Sequence, residues 1–113
     1  MAATPGRRAA VPAFVVAGPD GEPTAQTCPH VSQVRHVVPS TTMGCEDCLR
    51  EGTGWVHLRL CLTCGHVGCC DSSPRRHARA HWHRTGHAIV QSFEPGEDWA
   101  WCFADEVLLL PVA

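Results

Sequence analysis

The chain has 113 residues, a formal charge of −2, and nine basic residues, all of them arginine. This length is enough for one small domain, and the balance of charge lacks the basic excess that nucleic-acid binding requires. No stretch approaches the roughly 20 consecutive apolar residues of a membrane-spanning helix, so neither nucleic acid nor a membrane is an expected partner.

The first 25 residues are rich in proline, glycine, alanine and threonine and show no hydrophobic period. We predict that residues 1–25 form a disordered tail and residues 26–113 the folded domain. Arg7 and Arg8 precede an apolar run that Pro12 interrupts, which is a poor match to an export signal. The expected location is therefore the cytoplasm, where thiols stay reduced.

The middle of the chain predicts a small sheet and one helix. The segment Trp55–Leu60 alternates like a strand, and Val67–Cys70 would form the second strand of a hairpin. Ser73 and Pro74 are typical of a helix start, and Gly86 of a helix end. Three further strands are expected in residues 88–93, 99–103 and 107–110. The fold class predicted is α+β, a meandering antiparallel sheet with one main helix.

Cysteine and histidine carry the functional signal. Eight cysteines could form a disulfide scaffold, but four of them stand in Cys-x-x-Cys pairs and eight histidines accompany them. Thiolate and imidazole are the ligands that zinc prefers, in tetrahedral sets of four. His77 and His81 would lie on the same helix face. The sequence predicts a domain stabilised by zinc, at least two ions and three if every motif is used.

The spaced motifs together resemble the UBP-type zinc finger, a ubiquitin-binding domain of deubiquitinating enzymes, over about residues 28–110. We expect a small, stand-alone, bacterial version of it, because the basic residues are all arginine. The resemblance rests on CPH at 28–30, CEDC at 45–48, CLTCGHVGC at 61–69, HARAH at 77–81, GH at 86–87 and WC at 101–102.

The resemblance implies three interleaved zinc sites. The first set would be Cys45, Cys48, Cys69 and His77, with Cys69 preferred to Cys70 because it matches the family position. The second set would be Cys61, Cys64, His81 and His87. The third set would be Cys28, His30, Cys102 and Asp105, where the family usually has a cysteine in place of Asp105. A carboxylate can also bind zinc. The remaining histidines, His36, His57, His66 and His83, are expected to be exposed or to support the ligands.

Sites with four protein ligands are closed and structural, so an enzyme is not expected. The resemblance implies a pocket for a free C-terminal Gly-Gly tail, with Trp101 and Phe103 as its aromatic walls. The arginine that the family places there is replaced by Asp71, which would repel a terminal carboxylate. We therefore expect a zinc-finger protein-interaction module that docks a protein or peptide partner on Trp55, Trp101 and Phe103.

Two alternatives remain open from the sequence. One is a true reader of Gly-Gly tails in which Arg59 or Arg75 supplies the missing cation. The other is a thiol-based redox or zinc-responsive protein that uses Cys70 beside Cys69.

Overall fold

The computed structural model describes residues 11–112, and a six-stranded antiparallel sheet lies at its centre. The order across the sheet is β1-β6-β5-β4-β2-β3, which confirms the predicted α+β class. None of the helices in the described residues is long and apolar enough to cross a membrane. The strands are β1 (Phe14–Val16), β2 (Leu58–Cys61), β3 (Val67–Cys69), β4 (Ile89–Ser92), β5 (Ala100–Cys102) and β6 (Val107–Pro111). The helices are α1 (Glu46–Glu51) and α2 (His77–Thr85), with a 3₁₀ turn at Pro29–Gln33.

The strand register separates a core face from an open face. Ala100 pairs with Leu109, and both are fully buried together with Ile89 on the core face. The next residues along each strand point the other way, because side chains alternate across a sheet. Val90 is therefore opposite Trp101, and Trp101 opposite Leu108, on the open face. Helix α2 covers only part of this open face, because Val90 is buried beside Ala78 of the helix whereas Trp101 and Leu108 stay partly exposed.

The N-terminal strand corrects the prediction of a tail over residues 1–25. Phe14 pairs with Pro111 and Val16 with Leu109, so β1 extends the sheet beyond β6. Val16 is only 2% exposed and fills the core, and the amide of Val112 donates to the carbonyl of Ala13. The burial of apolar side chains explains why this segment is ordered. The first ten residues of the predicted tail lie outside the described part of the chain.

Helix α2 begins three residues later than its apparent capping signal. The hydroxyl of Ser73 accepts the amide of Val56 at 2.8 Å and does not cap the helix. Arg76 adopts a left-handed conformation with φ 48°, and the helix starts after it at His77. The amide of His77 donates to Cys69 Sγ at 3.2 Å, so a cysteine sulfur replaces the expected hydroxyl cap.

Strand β2 is also shorter than the alternating pattern predicts. It begins at Leu58, and the preceding residues Trp55 and Val56 are not part of the sheet. Trp55 turns instead toward Gly44, and its ring lies so close that a Cβ at Gly44 would be 2.4 Å from it. Gly44 has φ 148°, so the chain can pass under the indole only because this residue has no side chain.

Candidate metal centres and an adjoining groove

The first candidate centre is the most buried cluster of sulfur atoms in the described chain. Cys45 immediately precedes α1, Cys48 lies on α1, Cys69 ends β3, and all three are 0% exposed. His77 begins α2, and its Nδ1 lies 3.4, 3.3 and 3.5 Å from the three sulfurs in that order. On the far side of the ring, Nε2 lies 3.3 Å from a carboxylate oxygen of Glu51, which is the usual way to orient a metal-binding imidazole.

The second candidate centre joins the β2–β3 hairpin to the end of α2. Cys61 Sγ lies 3.6 Å from His87 Nδ1, and Cys64 Sγ lies 3.3 Å from His81 Nε2. His81 is 5% exposed, whereas Cys64 is at the surface. Because His77 and His81 stand on one helix, α2 contributes a ligand to each of the two centres.

The third candidate centre joins the N-terminal segment to the β5–β6 turn. Asp105 Oδ2 lies 2.9 Å from Cys28 Sγ and 2.9 Å from His30 Nδ1. The amide of Asp105 donates to Cys102 Sγ at 3.3 Å. The structure thus brings together the twelve predicted ligands in the three predicted sets, each with its ligand atoms within 4.8 Å of one another.

The donor spacings of the first two sets fit a tetrahedral zinc ion. Bond lengths of about 2.3 Å to sulfur and 2.05 Å to nitrogen give tetrahedron edges of about 3.5 Å between nitrogen and sulfur and about 3.8 Å between two sulfurs. The observed nitrogen–sulfur distances are 3.3 to 3.6 Å, and Cys48 Sγ and Cys69 Sγ are 3.9 Å apart. In the third set the oxygen of Asp105 is closer to its neighbours, at hydrogen-bond distance.

The burial of these thiols also calls for a cation. Burial raises the pKa of Cys45 to about 12, and burial likewise raises the pKa of Cys69. Cys45 and Cys69 therefore ionise together only when a cation compensates their charge, and metal binding then releases their protons. All eight cysteines are free of disulfides.

A buried pair of polar residues links the first two centres. His66 Nε2 lies 2.7 Å from Asp47 Oδ2, and Arg50 donates to the other oxygen of Asp47 at 2.7 Å. Polar side-chain atoms of Glu46, Asp47 and His66 also lie within 4.8 Å of one another. Since both oxygens of Asp47 already have partners, we interpret this set as a hydrogen-bonded brace. The only indications of the Asp47–His66 pair in the sequence are an aspartate inside CEDC and a histidine within CGHVGC.

A groove of about 570 Å³ lies on the open face of the sheet, next to α2. Trp101 and Phe103 line it as predicted, although Phe103 is only 6% exposed and stacks on Trp82. Trp55 is not at this groove and packs on the first centre, so the prediction that it shares their surface is wrong. The remaining groove residues are Arg59, Cys70, Asp71, Val90, Asp98, Trp99, Leu108 and Leu110.

Two arginines set the electrostatics of the groove. Arg79 donates three hydrogen bonds of 2.7 to 3.1 Å to Asp71 and holds its guanidinium 4.9 Å from the Phe103 ring centroid. Asp71 is therefore paired and does not present a bare negative charge. Arg59 lies 4.7 Å from the Trp99 ring centroid and donates one hydrogen bond, to the carbonyl of Leu58. Among residues 11–112 no carboxylate forms an ion pair with Arg59.

Cys70 lies at the groove and not in a metal set. It is 5% exposed, and its sulfur lies 3.6 Å from the hydroxyl of Ser73. Cys69 points to the first centre instead, which agrees with the assignment preferred from the sequence.

These features define a small zinc-finger domain built from cross-braced Cys/His clusters. The family model described as "Zn-finger in ubiquitin-hydrolases and other protein" matches residues 45–110. The chain belongs to this family, and the family and the clusters together support zinc binding.

Comparison with solved structures gives a relative of similar size. The chain is similar to the solution NMR structure of protein RPA1320 from Rhodopseudomonas palustris, with 54% sequence identity and a TM-score of 0.68. The match covers 75% of this chain and 82% of that one. A comparison with curated proteins found no match.

Proposed function

We propose that this chain is a non-catalytic protein-interaction module that three zinc ions stabilise and that binds a peptide segment in the groove. The twelve ligands brought together in three sets would hold the ions, and zinc would supply cross-links between elements that share little apolar core. Four protein ligands per ion leave no position for a reacting water, which supports a structural role for the metals.

The observation that carries the interaction role is the groove itself. Trp99, Trp101, Leu108 and Leu110 are all partly exposed along one concave surface of the sheet. Aromatic side chains concentrated in a groove are typical of the energetic centre of a protein interface. A concave groove of about 570 Å³ on one sheet face suits an extended peptide segment better than the flat surface of a second globular domain.

A reader of free C-terminal tails is the second candidate, and Arg59 favours it. Its guanidinium lines the groove with only one donor used within the described residues, and a carboxylate is the natural partner of such a group. Asp71 opposes this role less than its position in the sequence suggests, because Arg79 already neutralises it. A Gly-Gly tail would fit between the aromatic walls with its carboxylate toward Arg59.

Calorimetric titration of the zinc-loaded chain with a peptide ending in Gly-Gly tests both candidates. The peptide is supplied as the free acid and as the amide. Binding of the acid alone, lost in Arg59→Gln, supports the tail reader. Binding of both forms, lost in Trp101→Ala, supports recognition of an internal segment.

The control for this titration is Met43→Ala, which alters a side chain that is 76% exposed and does not line the groove. If no member of an immobilised peptide array shows binding that depends on Trp101, the groove is not a peptide site. A thiol-based redox or zinc-responsive protein makes a separate prediction, because Cys70→Ser should then change its redox or zinc response. A peptide-binding module should tolerate the same substitution.

A further inference from the structure

The third centre differs from the other two in its donor chemistry. Two sulfurs and one nitrogen come from Cys28, Cys102 and His30, and Asp105 adds an oxygen. Thiolate is a soft ligand that holds zinc firmly, whereas carboxylate is a hard ligand better suited to magnesium or manganese. An oxygen donor in place of a sulfur should therefore lower the affinity for zinc at this centre alone.

The third centre is also more open to water than the first. The side chains of His30 and Asp105 are each 32% exposed. In the first centre the three cysteines are 0% exposed and the side chain of His77 is 12% exposed. The second centre exposes Cys64 but keeps an all-sulfur-and-nitrogen set. A competing chelator can thus approach two ligands of the third centre directly.

The segment that carries Cys28 and His30 has other attachments to the domain. The amide of Arg35 donates to the carbonyl of Leu62 at 2.7 Å, and the amide of Ala88 donates to the side chain of Gln33 at 2.8 Å. Val34 is 4% exposed in the core. Losing the third ion should therefore free only residues near Cys28 and the β5–β6 turn. The first two centres, by contrast, anchor α1, α2 and the β2–β3 hairpin.

We propose that the third centre is an exchangeable zinc site that releases its ion before the other two and clamps the segment around Cys28 to the β5–β6 turn. The proposal rests on the assignment of the three sets to zinc made above. After this release the module holds two zinc ions and keeps its sheet and helices. Only the contact between the segment around Cys28 and the β5–β6 turn is loosened. Asp105 is the residue that sets this order of release.

Native mass spectrometry of the full zinc-loaded chain, titrated with a chelator, counts the ions directly. The wild type should lose one zinc at a chelator concentration at least about tenfold lower than the other two require. Asp105→Cys should retain all three to similar concentrations. At the free zinc concentration that fills all three sites of the wild type, Asp105→Asn should hold only two ions. Glu106→Gln, at the neighbouring exposed residue, is the matched control and should behave like the wild type.

Hydrogen exchange then identifies which ion leaves first. In the two-zinc state, amides in residues 28–31 and 102–106 should exchange faster while those in residues 45–87 keep their protection. Release of all three ions together, no change on Asp105→Cys, saturation of the wild type at two ions, or early loss of protection in residues 45–87 would each overturn the proposal. A chain that binds no zinc at all would instead contradict the metal assignment itself.

Discussion

The imidazole of His66 stacks on that of His81, with ring centroids 4.1 Å apart and planes 4° from parallel. His66 is bonded on its other side to Asp47, which lies on α1 between Cys45 and Cys48. A continuous line of contacts therefore runs from the helix of the first centre to a ligand of the second. This brace is separate from the connection that α2 makes through its own two histidines.

Removing His66 should weaken both the brace and the second centre. In His66→Ala, buried Asp47 keeps Arg50 but loses one hydrogen bond, at a cost of about 1–3 kcal/mol, and His81 loses its stacking partner. We expect a lower free energy of unfolding in urea and earlier zinc release. His83→Ala is the control, because His83 lies on the same helix and is exposed. Equal behaviour of the two variants would show that the stack is incidental.

Acid should destabilise the fold through His81. In the metal-free chain, burial and the neighbouring ring of His66 lower the pKa of this histidine to about 4, against about 6.5 in an unfolded chain. The unfolded state thus binds the proton first, so stability present above pH 6.5 is lost as the pH falls toward 4. The full effect is up to about 3 kcal/mol, and bound zinc would oppose protonation further.

The measurement is the free energy of unfolding of the metal-free chain at a series of pH values, with NMR titration of the His81 ring. A ring that titrates near pH 6.5 in the folded chain would contradict this prediction.

The Asp71–Arg79 pair should govern charge at the groove with little effect on stability. Both side chains are partly exposed, at 47% and 37%, and such pairs contribute about 0–1 kcal/mol. Asp71→Asn should strengthen binding of an acidic or free-acid peptide, and Arg79→Ala should weaken it. Calorimetry on both variants checks the opposite signs. A shift in the same direction would mean that the pair acts through the shape of the groove.

Gly68 should not tolerate a side chain. A Cβ there would lie 2.8 Å from the amide nitrogen and 2.9 Å from the Cα of Ala78, which are rigid backbone atoms of α2. Gly68→Ala should therefore push the helix away from β3, lowering stability by about 1–3 kcal/mol. Gly54→Ala is the matched control, because a Cβ at Gly54 meets nothing within 4 Å. Thermal unfolding of the zinc-loaded variants makes the comparison, and equal melting temperatures would contradict it.

The metal sets could be predicted because the spaced cysteine and histidine motifs resemble those of the UBP-type zinc finger, and that resemblance implies which residues share an ion. Strands β4, β5 and β6 were also predictable from their apolar patterns. Strand β1 was missed because it has only three residues between stretches rich in proline and glycine, and its order comes from contact with distant β6. Such pairing leaves no local signal.

The predicted start of α2 was wrong for a related reason. Ser73 and Pro74 are a good local cap, but Ser73 is engaged by Val56 and the helix is positioned by Cys69. The Asp47–His66 pair was equally hidden, since its members are 19 residues apart. In each case a tertiary contact decided the outcome over the local preference.

The pairing of β1 with β6 brings the two ends of the described chain to one place. Phe14 lies opposite Pro111, and the amide of Val112 reaches the carbonyl of Ala13 at 2.9 Å. A domain whose ends meet can be inserted into a surface loop of another protein without stretching its host. Such a domain can equally be circularly permuted, with new ends opened at the exposed turn around Gly96. A break in this turn would leave the metal centres intact.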